Sequence, residues 1–277
     1  MAKNKRISRL KPVEADLRDA TLAPSTPQTE ASAYRLAFAD QEFMKHEALR
    51  PVRLQLELLK PEMILSEAGV ASTVVLFGGA RIPEPGKEAW AGKTPEIKAR
   101  LAANSRYYEE AREFARIASL ESLKSDGKEF VVCTGGGPGV MEAGNRGAAD
   151  VGAASIGLNI VLPHEQAPNP YVSPQFCFNF HYFAIRKMHF LMRAKAVAAF
   201  PGGFGTMDEL FEALTLIQTG RAAPMPVLLF GESFWRRMVN FEALAEEGVI
   251  SPEDLKLFSF VDDAATGWRI VKDWYKL

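Results

Sequence analysis

Cysteine is scarce in this chain: two residues in 277, Cys133 and Cys177. Both lie in apolar, strand-like runs. That predicts reduced, buried thiols rather than a disulfide framework, and a cytoplasmic setting. No Cys/His spacing resembles a zinc site. His164 is one of only four histidines and has no second ligand or base beside it. Long apolar runs are missing too: none approaches the roughly 20 residues that a membrane-spanning helix needs. The basic start from Lys3 to Lys11 is not followed by the apolar core of a secretory signal. Charge of one sign does not dominate. With 33 basic and 34 acidic residues the formal net charge is −1, so neither nucleic acid nor a membrane surface is an expected partner. What remains is a composition ordinary for a soluble globular enzyme, 47% hydrophobic and 24% charged, with length enough for a large core. No internal repeat is evident.

The most informative stretch is Phe200-Pro201-Gly202-Gly203-Phe204-Gly205-Thr206-Met207-Asp208-Glu209-Leu210. An apolar run from Ala196 to Phe200 precedes it, and a helical pattern from Leu210 to Ile217 follows. The glycines therefore sit at a strand-to-helix turn. Backbone can approach a ligand closely there, and the free N–H groups of a helix start favour an anion such as phosphate. Two better-known phosphate motifs are absent. No Lys follows Gly205, so the triphosphate P-loop pattern is unmet, and Gly203-Phe204-Gly205 does not continue into a dinucleotide fingerprint. Thr206 and Glu209 also fit a capping box, in which the turn is only a helix start. A second strand-glycine-helix turn runs from Glu129-Phe130-Val131-Val132-Cys133-Thr134 into Gly135-Gly136-Gly137-Pro138-Gly139, with Glu142 and Asn145 on the first helical turns. Each of these two can contact a ligand or satisfy the helix end. Two such loops at one end of a parallel sheet would face a common ligand.

Residues 1 to about 30 read as a mobile tail. Ser32 to Lys60 reads as a helical extension in which Pro51 marks a break or a new start. From about residue 71 strands and helices alternate. Strands are expected at Thr73 to Gly79, Glu129 to Thr134, Ala154 to Ile160, Phe176 to Phe180, Ala196 to Phe200, Val227 to Gly231 and Phe258 to Val261. Ala80 to Lys98 reads as a loop insertion, with Arg81 just after the first strand, and Leu101 to Leu123 as a helix. The loop from Leu162 to Tyr171 reads as a rigid site-lining segment, with Asn159, Glu165 or Gln166 ordering the pocket. Ser233 to about Glu247 reads as one helix, and Ser251-Pro252 as a helix start. The alternation implies an α/β, Rossmann-like three-layer fold: a parallel sheet with helices on both faces, behind an N-terminal helical extension.

Pro201 to Glu209 resembles the PGGxGTxxE signature of the LOG family, the cytokinin-riboside-monophosphate phosphoribohydrolases often labelled lysine decarboxylases. Arg186-Lys187, on the helix before that strand, resembles the family's second signature. The likeness runs from about Thr73 to the C-terminus. It implies that Arg186 and Glu209 are the catalytic pair and that Gly135, Gly136, Gly137, Gly139, Glu142, Lys187, Gly202, Gly203, Gly205 and Thr206 contact the substrate. Arg186 and Lys187 are adjacent, so they point about 100° apart on a helix. The implied reaction is hydrolysis of a nucleoside 5′-monophosphate, AMP or an N6-modified AMP, to free base and ribose 5-phosphate, without metal or other cofactor. The family also implies a homodimer or higher homo-oligomer. The alternative is a non-enzymatic carrier of a phosphorylated ligand such as molybdenum cofactor, which needs the loops but not the Arg/Glu pair. Lysine decarboxylation would need a Schiff-base lysine for pyridoxal phosphate, and neither Lys187 nor Lys195 stands in such a context.

Overall fold

A computed structural model describes residues 11–163 and 167–277 of the chain. The expectations for His164, Glu165 and Gln166, and for the first ten residues of the tail, lie outside this range. The chain divides into two compact units between Leu56 and Glu57. In the first unit the segment read as a tail carries two helices, α1 (Val13–Thr21) and α2 (Pro27–Glu30), neither with a buried residue. Thr26 caps α2 through a Thr26/Thr29 capping box, which gives this short segment local order without a core. A short helix α3 (Gln41–Met44) is capped by Asp40, whose Oδ1 accepts from the Glu42 and Phe43 N–H groups at 3.0 and 3.2 Å. Helix α4 (Arg50–Glu67) starts beside Pro51, as expected of a proline in a first turn, and outruns the expected end at Lys60. Its second half belongs to the larger unit.

That unit contains a seven-stranded parallel sheet. The remaining elements are, in chain order, β1 (Thr73–Phe77), α5 (Pro95–Ala103), α6 (Arg106–Leu123), β2 (Val131–Thr134), α7 (Val140–Ala149), β3 (Ser155–Ile160), β4 (Cys177–Phe180), α8 (Phe183–Met192), β5 (Ala194–Ala199), α9 (Phe204–Gln218), β6 (Val227–Phe230), α10 (Glu232–Met238), α11 (Phe241–Glu246), β7 (Ser259–Val261) and α12 (Ala264–Tyr275). The strand order is β4-β3-β2-β1-β5-β6-β7, and all six pairings are parallel. Side chains of a strand alternate between faces, so each inner strand feeds two cores. Val74 and Leu76 of β1 pack with α6, α7 and α12 around Phe114, Phe230 and Trp268. Val75 and Phe77 pack on the other face with Phe190, Leu210 and Trp235. Burial on both faces explains the unbroken apolar runs that made these strands legible. Both cysteines are free thiols.

Several helix boundaries differ from those read in sequence. The insertion's end is helical: Thr94 Oγ1 accepts from the Ile97 N–H at 3.3 Å and Pro95 takes the first turn. The helix expected from Leu101 is two helices parted at Asn104 and Ser105. The insertion is also anchored, with Ile82 and Ala89 buried. The helix expected from Ser233 to Glu247 breaks at Val239, which is extended, and restarts where Asn240 Oδ1 accepts from the Ala243 N–H at 3.0 Å. Ser251 opens only a 3-10 turn, Pro252–Lys256.

Strand order reverses direction at β1. The chain builds outward through β2, β3 and β4, then returns to the opposite side of β1 with β5. The crevice beyond the carboxyl ends of strands at such a reversal is where open α/β sheets bind ligands.

Candidate active site

Three turns meet at this reversal. The Gly79 N–H, just past β1, donates to the Pro201 carbonyl at 2.9 Å, and its own carbonyl accepts from the Val140 N–H at 3.3 Å. One residue thus joins the loop after β2 to the loop after β5. The approach is too close for side chains. A Cβ on Gly139, whose φ is +67°, would lie 2.4 Å from the Gly79 oxygen.

The loop from Gly135 to Gly139 is held from beneath. Thr134 Oγ1 accepts from the Gly136 N–H at 2.9 Å and donates to Asn145 Oδ1 at 2.7 Å. Asn145 is wholly buried and also donates to Ser155 Oγ at 2.9 Å. It is therefore a structural group of the loop's underside and is not turned to a ligand. Asn169 completes the support: its backbone N–H donates to the Gly136 oxygen at 2.8 Å, and its Nδ2 to the Gly136 and Gly137 oxygens at 3.1 and 3.0 Å. Gly136 has φ +73°, and a Cβ there would meet Asn159 Oδ1 at 2.3 Å. Asn159 thus lies against this loop. Glu142, on the first turn of α7, accepts from the Tyr108 hydroxyl at 2.9 Å. Burial pushes that hydroxyl's pKa up, so it stays a donor. The insertion reaches the same helix, where Glu84 pairs with Arg146 at 2.9 Å. Arg81 is exposed.

The loop after β5 is open by contrast. Gly203 and Gly205 have nothing within 4 Å of a Cβ position, and Phe204 between them is 96% exposed. Thr206 is buried, its Oγ1 against Gly202, where a Cβ would come within 2.1 Å. The capping box is not formed. Helix α9 begins at Phe204 with Gly203 at the cap position, so Thr206 stands inside its first turn and cannot serve as the cap.

Arg186 joins the two loops. It stands in α8, 8% exposed. Its Nε donates to the Leu158 oxygen at 2.6 Å, its Nη1 to Glu209 Oε1 at 3.3 Å, and its guanidinium lies 5.0 Å from the Phe190 ring centre. A Cβ on Gly135 would touch Nη2 at 2.6 Å, so that glycine makes room for the arginine. Burial pushes the Glu209 carboxyl up to about 7, against the opposing pull of Arg186. Lys187 reaches α9 beside this pair, at Asp208 Oδ1 and Glu212 Oε2, each at 3.1 Å. Of the residues read as catalytic or substrate-binding, the structure brings together Arg186, Glu209 and Gly135, links Gly136, Gly137 and Gly139 to them through one loop, and sets Gly202, Gly203, Gly205 and Thr206 at the start of the helix carrying Glu209. Lys187 is engaged with Asp208 and Glu212 on either side of Glu209 in α9, and Glu142 is engaged with Tyr108.

Asn169 was not singled out in the sequence. A polar residue between two prolines, Pro168 and Pro170, in a loop beside a glycine turn was the available signal.

Residues 141–271 match a family model described as "Possible lysine decarboxylase". Among curated proteins, the chain is 29% identical over 145 residues to cytokinin riboside 5′-monophosphate phosphoribohydrolase LOG3 of Arabidopsis thaliana, covering 51% of this chain and 65% of that protein. Over 68 residues it is 37% identical to LOG1 of the same plant, covering 24% and 32%. The chain thus spans less than two thirds of either relative. Among solved structures, it overlays on the molybdenum cofactor binding protein of Rippkaea orientalis with a TM-score of 0.45 and 17% identity, over 74% of this chain and 97% of that one.

Proposed function

We propose, from the premise that this chain is a relative of the LOG family, that it hydrolyses the N-glycosidic bond of a nucleoside 5′-monophosphate, AMP or an N6-modified AMP. The observation that carries the reading is the buried Arg186–Glu209 contact of 3.3 Å between two glycine turns. The 5′-phosphate sits at the open start of α9, on the N–H groups around Gly203 and Gly205 and the Thr206 hydroxyl. Glu209 lies farther along the same helix and faces the ribose. As the bond from C1′ to the base breaks, positive charge builds on the sugar ring, and the Glu209 carboxylate stabilises it. A water oxygen then bonds to C1′, its proton passing to Glu209, and the departing base takes a proton from solvent. Arginine is a poor acid, with a pKa above about 12, so Arg186 acts as an electrostatic clamp on phosphate or ribose hydroxyls and orients the carboxylate. The step uses neither metal nor other cofactor.

The same reading takes the protein as a homo-oligomer. Phe183, Met188 and Met192 of α8 and Phe204 and Phe211 of α9 are exposed, apolar side chains that a second copy would cover.

The test is to incubate the protein with AMP, GMP, CMP, UMP and isopentenyl-AMP and to quantify released base by chromatography. Release that is lost in both Arg186→Ala and Glu209→Ala supports the hydrolase. No release from any nucleotide, with tight binding of a phosphorylated ligand, would favour a carrier.

A further inference from the structure

We propose that Glu57 is a positioning residue for Arg186, acting through the helix that carries it; this deepens the hydrolase reading, in which Arg186 belongs to the working pair. Helix α8 has no side-chain cap of its own: the Tyr182 side chain makes no cap hydrogen bond. N–H groups at a helix start lack internal acceptors and favour an anion. Glu57, more than 120 positions earlier, supplies one. Its Oε1 accepts from the His181 N–H at 2.8 Å and its Oε2 from the Tyr182 N–H at 3.1 Å. The Tyr182 peptide is in turn tied to the arginine, since the Arg186 N–H donates to the Tyr182 oxygen at 3.1 Å.

Glu57 also holds α8 beyond Arg186. Its backbone oxygen lies 3.2 Å from His189 Nε2. Burial pulls His189 below its ordinary pKa, so the ring is neutral near pH 7 and donates to that oxygen through Nε2–H. One residue therefore grips the helix about a turn before and a turn after Arg186. The guanidinium between these grips must meet the Leu158 oxygen and Glu209 while fitting against Gly135 and Phe190. Its tolerance for a shift of α8 is small. Two further contacts from α4 anchor the end of α8: Arg193 pairs with Glu62 and donates to Ser66 Oγ at 3.0 Å. These hold the helix's end, whereas Glu57 holds the turns around the arginine.

The experiment uses the full chain with Glu57→Ala, Glu57→Gln and, as a control of ordinary ion-pair loss, Arg112→Ala, which breaks the pair with Asp150 on other helices. Two readouts run in parallel. The first is the Nε–Hε NMR signal of Arg186, identified by its loss in Arg186→Ala and read for hydrogen exchange. The second is kcat and KM for AMP. Misplacement of about 1 Å at a reacting centre costs on the order of 100-fold. We expect kcat to fall about 10- to 100-fold in Glu57→Ala with KM changed much less. Exchange of the Arg186 signal should quicken by about tenfold or more, corresponding to loss of roughly 1.4 kcal/mol of protection. Glu57→Gln, which keeps one acceptor, should fall between, and it is the variant to read if Glu57→Ala does not fold. Arg112→Ala should move neither readout. An unchanged Arg186 signal in a folded Glu57 variant would overturn the proposal. If the wild-type chain hydrolyses no nucleotide while the Arg186 signal responds to Glu57, the positioning role stands and the hydrolase reading fails.

Discussion

At the scale of single residues, the proposed role of Glu209 predicts that activity and stability run in opposite directions with pH. Burial lifts its carboxyl to about 7, and the carboxylate is the form that stabilises positive charge and takes a proton from water. The expected kcat/KM therefore rises with pH through about 7 and levels off above it. Stability runs the other way. The folded carboxyl holds its proton more tightly than the unfolded one, so its contribution is full below the ordinary carboxylate range and is lost as pH rises through about 7. Melting temperatures measured from pH 4 to 8.5 should show this decline in wild type and not in Glu209→Gln, the same substitution that lowers kcat by about 100-fold or more. A wild-type kcat/KM flat between pH 5.5 and 8 would count against the assignment. Lys187 supplies the contrasting case. Its ammonium is held by Asp208 and Glu212 and is partly exposed, so Lys187→Ala should cost under about 1 kcal/mol in urea unfolding and change kcat only a few-fold. The 100° offset of adjacent helical residues already separated these two cations in the sequence. Which of them meets Glu209 depends on how α8 packs across β5 from α9, and only the family resemblance pointed to Arg186.

At the scale of elements, the glycine turn after β2 is a rigid part held by the chain beneath it. Asn145 donates or accepts in every direction it faces, so Asn145→Ala leaves buried partners unmatched. The expected loss is about 1–3 kcal/mol per orphaned group, measured by urea unfolding. Gly136→Ala should also destabilise, since it places a Cβ against Asn159 at a positive φ. These turns were legible because glycine and the change from strand to helix periodicity are local signals. Asn169 and Glu57 were not, for one shared reason. Each acts on main-chain groups far along the chain, Asn169 on Gly136 and Gly137 and Glu57 on His181 and Tyr182. A backbone N–H or C=O has no letter in the sequence. In Glu57 the helical pattern showed only a charged residue on an amphipathic segment, which reads as a solvated face. The breaks at Asn104 and Val239 were hidden in the same way, because the flanking residues keep helical periodicity across them.

At the scale of the whole molecule, seven parallel strands match seven apolar runs in the sequence, but their order was not legible there, because the right-handed crossover rule fixes the hand of each connection and not the side of the sheet that the next strand joins. The exposed side chains on α8 and α9 yield a prediction at this scale. If they pack between copies, Met188→Glu should shift the mass measured by light scattering to that of one subunit, about 30.5 kDa. A wild-type mass already at that value would remove the oligomer from the reading. The position of β1 has a further consequence, in time. It lies between β2 and β5, and Gly79 just beyond it hydrogen-bonds to the turns that follow both. A ribosome delivers β2 first and β5 only about 60 residues after it, roughly 3–12 seconds later at ordinary rates of elongation. Through that interval the nascent chain can assemble half its sheet, while the central strand waits with one side bare and only half of the pocket exists. An unpaired, apolar strand is a template for the wrong neighbour, so the step most exposed to misassembly during synthesis is the arrival of the strand that brings the second glycine turn.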